Sequence, residues 1–201
     1  MTEEPLERSD GAADGPWLTV SDALLRGVGH ALNNRAAALS AVVQVLASEA
    51  DGPLEGALRA ETERLQRAVE LLRLLPRRWD SEPEPVLVAD LVKSAIELLV
   101  LHADLPELRY EWTPDGSLPP VLVEPSLLTH VLCLLGTAAA REAGRTGARS
   151  VAFRGSSTGE VVRVEVSVGE GNPAYAGPDE EGENTDADAA RALLARAGGS
   201  F

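Results

Sequence analysis

Aromatic residues make up only 3% of the 201 residues, so any core must be aliphatic, built mostly from Leu, Val and Ala. One cysteine, Cys133, is present. It excludes an internal disulfide, and its place in an apolar run reads as a buried, inert thiol. Basic residues are outnumbered, 18 Lys and Arg against 32 Asp and Glu, for a formal charge of −14. That balance argues against nucleic acid or an anionic membrane as a general partner and makes a basic protein surface more natural. No apolar run has membrane-spanning length and no signal-peptide pattern opens the chain, so a soluble cytoplasmic protein is expected. No Ser-His-Asp, paired-Cys or metal-site pattern is visible.

What is abundant is helix-forming alanine and leucine. The periodicity predicts a first helix over about 18–48, capped by Thr19 or Ser21. In it Leu18, Leu25, Leu32, Leu39 and Leu46 recur every seven residues, a seam for another helix that Arg35 interrupts. His30 falls well away from that seam, with Asn34 four residues on over the same outward face. A neutral imidazole held out to solvent on a rigid helix is competent as a phosphoryl acceptor. On helical geometry alone, a surface histidine without a role is the commoner case.

Asp51-Gly52-Pro53 marks a turn. A second helix is expected from Leu54 to Leu75, with Leu58, Leu65 and Leu72 in one row and Glu61 interrupting the other. Two seamed helices joined by a short turn make an antiparallel hairpin. One hairpin cannot cover its own stripe, so a homodimer through a four-helix bundle is expected. The alternative is a monomer whose hairpin packs on the rest of the chain. Residues 1–16 read as a flexible leader and the proline-rich 76–85 as a linker.

Beyond the linker the pattern changes. Strands are expected at 86–88, 109–113, 120–123, 151–154 and 161–168, with helices at 89–101, about 124–143 and 189–197. The strand order looks mostly antiparallel, an α+β sandwich with helices on one face. Residues 169–188, rich in Asp and Glu, read as a solvated acidic loop. Gly198-Gly199 stops the last helix, and a further strand is expected after Phe201.

A histidine-bearing hairpin, a linker and this α+β pattern together resemble the core of a bacterial sensor histidine kinase. That core is a dimerisation and phosphotransfer hairpin followed by a Bergerat-type (GHKL) ATP-binding domain. His30-Ala31-Leu32-Asn33-Asn34-Arg35 resembles the phosphoacceptor box, His-Glu-Leu-Arg/Lys-Thr/Asn-Pro. Leu118 to Glu124 resembles the strand before the asparagine-bearing helix, and Val131 to Ala139 resembles that helix. Ser167-Val168-Gly169-Glu170-Gly171 resembles the Asp-x-Gly-x-Gly turn, and Ala192 to Gly199 the last helix with its glycine pair. The resemblance implies a leader over 1–16, the hairpin over 17–76, a linker over 77–85 and a degenerate ATP-binding-like domain over 86–201, short of its last strand.

The departures from the family pattern fall on ATP chemistry. The acid after the histidine is Ala31, which can neither take a proton nor orient a ring. The proline of the box is Arg35. The Mg²⁺-holding asparagine aligns with Ala138, one residue from Thr137, and the adenine-binding aspartate with Ser167. Six carboxylates, Asp179, Glu180, Glu181, Glu183, Asp186 and Asp188, replace the phosphate-cradling glycine-rich lid. The expectation is therefore a histidine phosphotransferase that binds neither ATP nor Mg²⁺. His30 exchanges phosphate with the aspartate of a response-regulator receiver domain, which brings Mg²⁺ itself. Asn34 stands where the family positions a water. Arg35 is either a contact for the phosphoryl group or a charge reaching from the seam to water. A pseudokinase scaffold without phosphorylation and an active kinase with divergent motifs are the alternatives. His102 and His130 read as structural or surface histidines.

Overall fold

The structure, a computed structural model, describes residues 10–46, 54–76, 82–170 and 185–200. Helix α1 spans Asp10–Leu46 and α2 spans Leu54–Arg73. Then come β1 (Glu84–Val86), α3 (Val88–Leu101), β2 (Arg109–Pro114), β3 (Val121–Val123), α4 (Pro125–Thr146), β4 (Ser150–Thr158), β5 (Val161–Val168) and α5 (Thr185–Arg196). This is a mixed α and β chain compatible with the α+β class. None of the helices among the described residues is long and apolar enough to cross a membrane.

Helix α1 begins inside the stretch expected as leader; residues 1–9 lie outside the described chain. Pro16 sits within the helix, where a proline removes one backbone bond at a cost of about 3 kcal/mol. The next residue explains why the helix persists. Trp17 is 1% exposed, and burying an indole offsets a cost of that size. Neither expected cap acts as one: Thr19 Oγ1 donates to the Gly15 carbonyl and Ser21 Oγ to the Leu18 carbonyl, both inside the helix.

The buried face of α1 is Trp17, Val20, Leu24 and Val28, at helical spacing. It is not the seven-residue leucine row: Leu18 is 62% exposed and Leu25 49%. The row was expected to be buried. Within a single chain the neighbouring stripe is buried instead, because α3, α4 and α5 all pack against it. Helix α2 runs antiparallel along α1, with Arg35 paired to Glu61 towards one end of the hairpin and Trp17 lying near the Leu74 carbonyl, through His130, at the other.

Two sheets form. β1 pairs with β3 antiparallel, and β2-β4-β5 make a three-stranded sheet. β4 and β5 are antiparallel around a tight turn at Gly159, whose φ of +62 supplies the left-handed backbone such turns need. β2 and β4 run parallel, in register from Arg109 opposite Ser150, because the connection through α4 returns the chain to the same end of the sheet. Glu124 caps α4: its carboxylate accepts from the amides of Ser126 (3.1 Å) and Leu127 (2.5 Å).

One apolar core joins Trp17, Leu24 and Val28 of α1 to Leu98 of α3, Leu132 of α4, Phe153 of β4 and Leu193 of α5. The core thus draws on residues on both sides of the expected linker, of which 77–81 lie outside the described residues. Two polar ties reinforce it. Arg67 of α2 forks onto Glu97 of α3, at 2.7 and 3.2 Å, and reaches Ser94 Oγ at 3.0 Å. His130 of α4 stacks on Trp17, centroids 3.6 Å apart and planes at 21°, and its Nε2–H donates to the Leu74 carbonyl at 2.7 Å. A carbonyl only accepts, so the neutral ring carries its proton on Nε2.

Burial drives the His130 imidazole down from 6.5 to about 4, with the Leu74 hydrogen bond acting in the opposite sense. The unfolded chain takes a proton that the folded chain refuses, so this contribution to stability is complete above about 6.5 and falls as pH drops towards 4. The loss should be on the order of 3 kcal/mol. Urea unfolding followed by tryptophan fluorescence across that window checks it. His130→Gln, which keeps a donor but does not titrate, should flatten the dependence; an equally steep curve would contradict the assignment.

Candidate functional site

Helix α1 crosses the C-terminal end of α3 at Gly27. A Cβ built there would stand 1.5 Å from the Leu101 carbonyl oxygen, so only glycine permits the crossing. The contact is bonded on both sides. The Ala103 amide donates to the Ala23 carbonyl at 3.3 Å, and Arg26 pairs with Asp104 at 2.7 Å and with Asp22 at 3.4 Å.

His30 follows one turn beyond this crossing, exposed, and Asn34 is exposed one turn further. Both stand on the lip of a recess of about 550 Å³ between the two helices. Arg26 and Arg35 line it from α1, and Val100 and Leu101 from α3. The other two histidines are buried: His102 is 6% exposed and His130 0%. The His102 Nδ1 accepts from the Asp104 amide at 3.2 Å, and burial holds its imidazole below the ordinary value, against the pull of Asp104. His30 is thus the one histidine of the three that solvent, or a partner, reaches.

The two charges that break the apolar rows of the hairpin find each other. Arg35 Nη1 lies 3.2 Å from Glu61 Oε1, and Arg64 Nη1 lies 3.0 Å from Glu61 Oε2. Burial alone would raise the Glu61 carboxyl; hydrogen bonds from Arg64 and Arg35 outweigh it and hold the group below its ordinary value. Arg35 is therefore engaged in the hairpin itself, with 42% of its side chain still exposed.

The positions expected to match the family's nucleotide ligands sit as follows. Ala138 is 9% exposed and carries no ligand oxygen; the neighbouring Thr137 is wholly buried, its Oγ1 without a hydrogen-bond partner. Gly169 is required by packing alone: its amide donates to the Ser150 carbonyl at 2.9 Å, and a Cβ would come within 2.3 Å of Ser150 Oγ. Gly171 and the acids from Asp179 to Glu183 lie outside the described residues. Asp186 and Asp188, expected in a solvated loop, belong instead to the first turn of α5, where acids suit the helix dipole. Asp186 is buried and paired with Arg141; burial raises its carboxyl and the arginine opposes that. Among the described residues no cluster of three or more His, Cys, Asp or Glu could hold a metal ion. Cys133 is fully buried, its thiol pushed up to about 12 by burial.

Sequence reasoning put His30 and Asn34 on one exposed face, as the structure does, but did not place the end of α3 beside them. The available signal was Gly27, a glycine inside an otherwise strong helix former.

No protein-family model matches the chain. It is similar to the sensor histidine kinase ZraS of Escherichia coli O157:H7, 25% identical over 146 residues, 70% of this chain and 32% of that protein. The chain thus spans about a third of the length of the curated relative it matches. Among solved structures, a bacterial phosphotransferase shares 14% identity and a TM-score of 0.44, covering 90% of this chain and 88% of the other. The sequence similarity supports at most a distant relationship to a sensor histidine kinase.

Two glycines of α1 separate packing from propensity. Gly27→Ala should destabilise by about 1 to 3 kcal/mol through overpacking. Gly29→Ala, with nothing within 4 Å of its Cβ, should stabilise by about 0.5 to 1 kcal/mol. Urea midpoints measure both; equal effects would show that α1 and α3 do not meet as described.

Proposed function

We propose that this protein passes phosphoryl groups between His30 and the aspartate of a response-regulator receiver domain, without phosphorylating itself from ATP. The observation that carries this is the exposed imidazole of His30, with Asn34 one turn away, while the other two histidines are buried. In this reading the second half of the chain is a degenerate Bergerat-type domain. Ala31 supplies no base beside His30 and Ala138 no oxygen for Mg²⁺, so the chemistry must come from the partner.

The unprotonated ring nitrogen of His30 attacks the phosphorus of the receiver's aspartyl phosphate. The new P–N bond forms as the P–O bond to the carboxylate breaks, and the electron pair leaves with the carboxylate. The other ring nitrogen keeps its proton. Mg²⁺ belongs to the receiver, which neutralises the charge on the transferring group. Asn34 hydrogen-bonds the phosphoryl oxygens or a water beside them.

The exposed leucines support a homodimer in this reading. Leu18 and Leu25 form a stripe that the single chain leaves open. His30 lies roughly 130° around the helix axis from the stripe at about 100° per residue. A second copy packing on the stripe would complete a four-helix bundle and leave both His30 side chains free. The working place for such a relay is the cytoplasm.

Label transfer tests the reading. Receiver domains phosphorylated with acetyl phosphate should label this chain, and His30→Ala should reduce labelling to background. Asn34→Ala should still take label but slow the loss of phosphate from the receiver. Calorimetry with ATP and Mg²⁺ should give no binding heat. Labelling that survives His30→Ala, or is absent with every receiver tried, contradicts the proposal; receiver binding without labelling would favour the scaffold alternative.

A further inference from the structure

We infer that β5 is a pairing edge for a second copy of this chain, so that two three-stranded sheets join across a two-fold axis at Val164. In the order β2-β4-β5 the strand has β4 on one side, and its other side pairs with nothing among the described residues. Open edges invite another strand, and chains blunt them with proline, bulges or short length. β5 has none of these: its eight residues, VVRVEVSV, pair one for one with β4 from Val161 to Val168. Its two charges, Arg163 and Glu165, are of opposite sign.

The ladder fixes which backbone groups face outward. The Gly169 amide donates to the Ser150 carbonyl at 2.9 Å, and bonded pairs recur at every second residue of an antiparallel ladder. Val161, Arg163, Glu165 and Ser167 thus direct their backbone groups to β4, while Val162, Val164, Val166 and Val168 turn theirs to the open edge. A second β5, antiparallel and with Val164 opposite Val164, sets Val162 opposite Val166 in bonded pairs. Arg163 then lies opposite the partner's Glu165 at two places, in the pairs without hydrogen bonds, where side chains stand closest. Centring the axis on Val162 or Val166 loses both matches. Arg163 and Glu165 are exposed. Among the described residues neither is ion-paired, although Arg154 stands opposite Glu165 on β4. On the other face Val162, Val164 and Val166 are only partly buried against the core, and a neighbour's valines extend that cover. Charge, register and backbone direction agree on one occupant, this same strand.

Sedimentation velocity tests this on wild type, Arg163→Glu, Glu165→Arg and an equimolar mixture of the two variants. Each variant alone sets like charges opposite one another at two places, which should weaken association across this edge by about tenfold or more. The mixture sets opposite charges at both places again and should recover the wild-type mass, a recovery that misfolded variants could not give. The same pattern should persist in a Leu18→Glu/Leu25→Glu background, which removes the stripe on α1. A mixture no heavier than its parts, or single variants as heavy as wild type, would overturn the inference. So would a pattern that vanishes with the leucines, or a wild type unpaired across this edge because another segment of the chain covers it. None of these outcomes bears on His30 as the acceptor.

Discussion

The structure turns on the crossing of α1 over the end of α3. Two helices approach so closely there that one must lack a Cβ, and Gly27 is that residue. From it follow the position of His30 one turn on, the recess beside it and the fixed relation between the hairpin and the rest of the chain. Further down α1, Trp17 makes the second attachment by stacking on His130, whose other side bonds the end of α2. α1 is therefore held at two points along its buried face, and its imidazole-bearing edge is left open.

Much of the second half was legible in the sequence because its boundaries are marked by local chemistry. Glu124-Pro125-Ser126 writes a capped helix start, and the alternating valines of β5 match the strand over Val161–Val168. The parallel pairing of β2 with β4 was not legible, since pairing direction depends on how the α4 crossover packs. The start of α1 was missed for the same kind of reason. Gly15-Pro16 reads as a break, and what overrides it is a partner for Trp17 far along the chain. The acidic segment was split for an equally non-local reason: Asp186 is held by Arg141 of another helix.

The site divides similarly. His30 and Asn34 could be found because a short motif and a helical period place them together. The meeting of Arg35 with Glu61 could have been guessed, since both interrupt apolar rows of the same hairpin, and a buried carboxylate needs a partner of opposite sign. The α3 lip could not, because nothing local to Val100 announces that a distant helix passes beside it.

The central claim is that one imidazole of the three accepts phosphate. Nitrogen NMR of the ring resonances, in protein labelled with ¹⁵N-histidine, addresses it directly when a phosphorylated receiver is added. The account predicts that the His30 ring nitrogens shift to phosphohistidine values while those of His102 and His130 stay in place. A shift at either buried ring instead, or unchanged spectra while the receiver's phosphate passes to this chain, would contradict it.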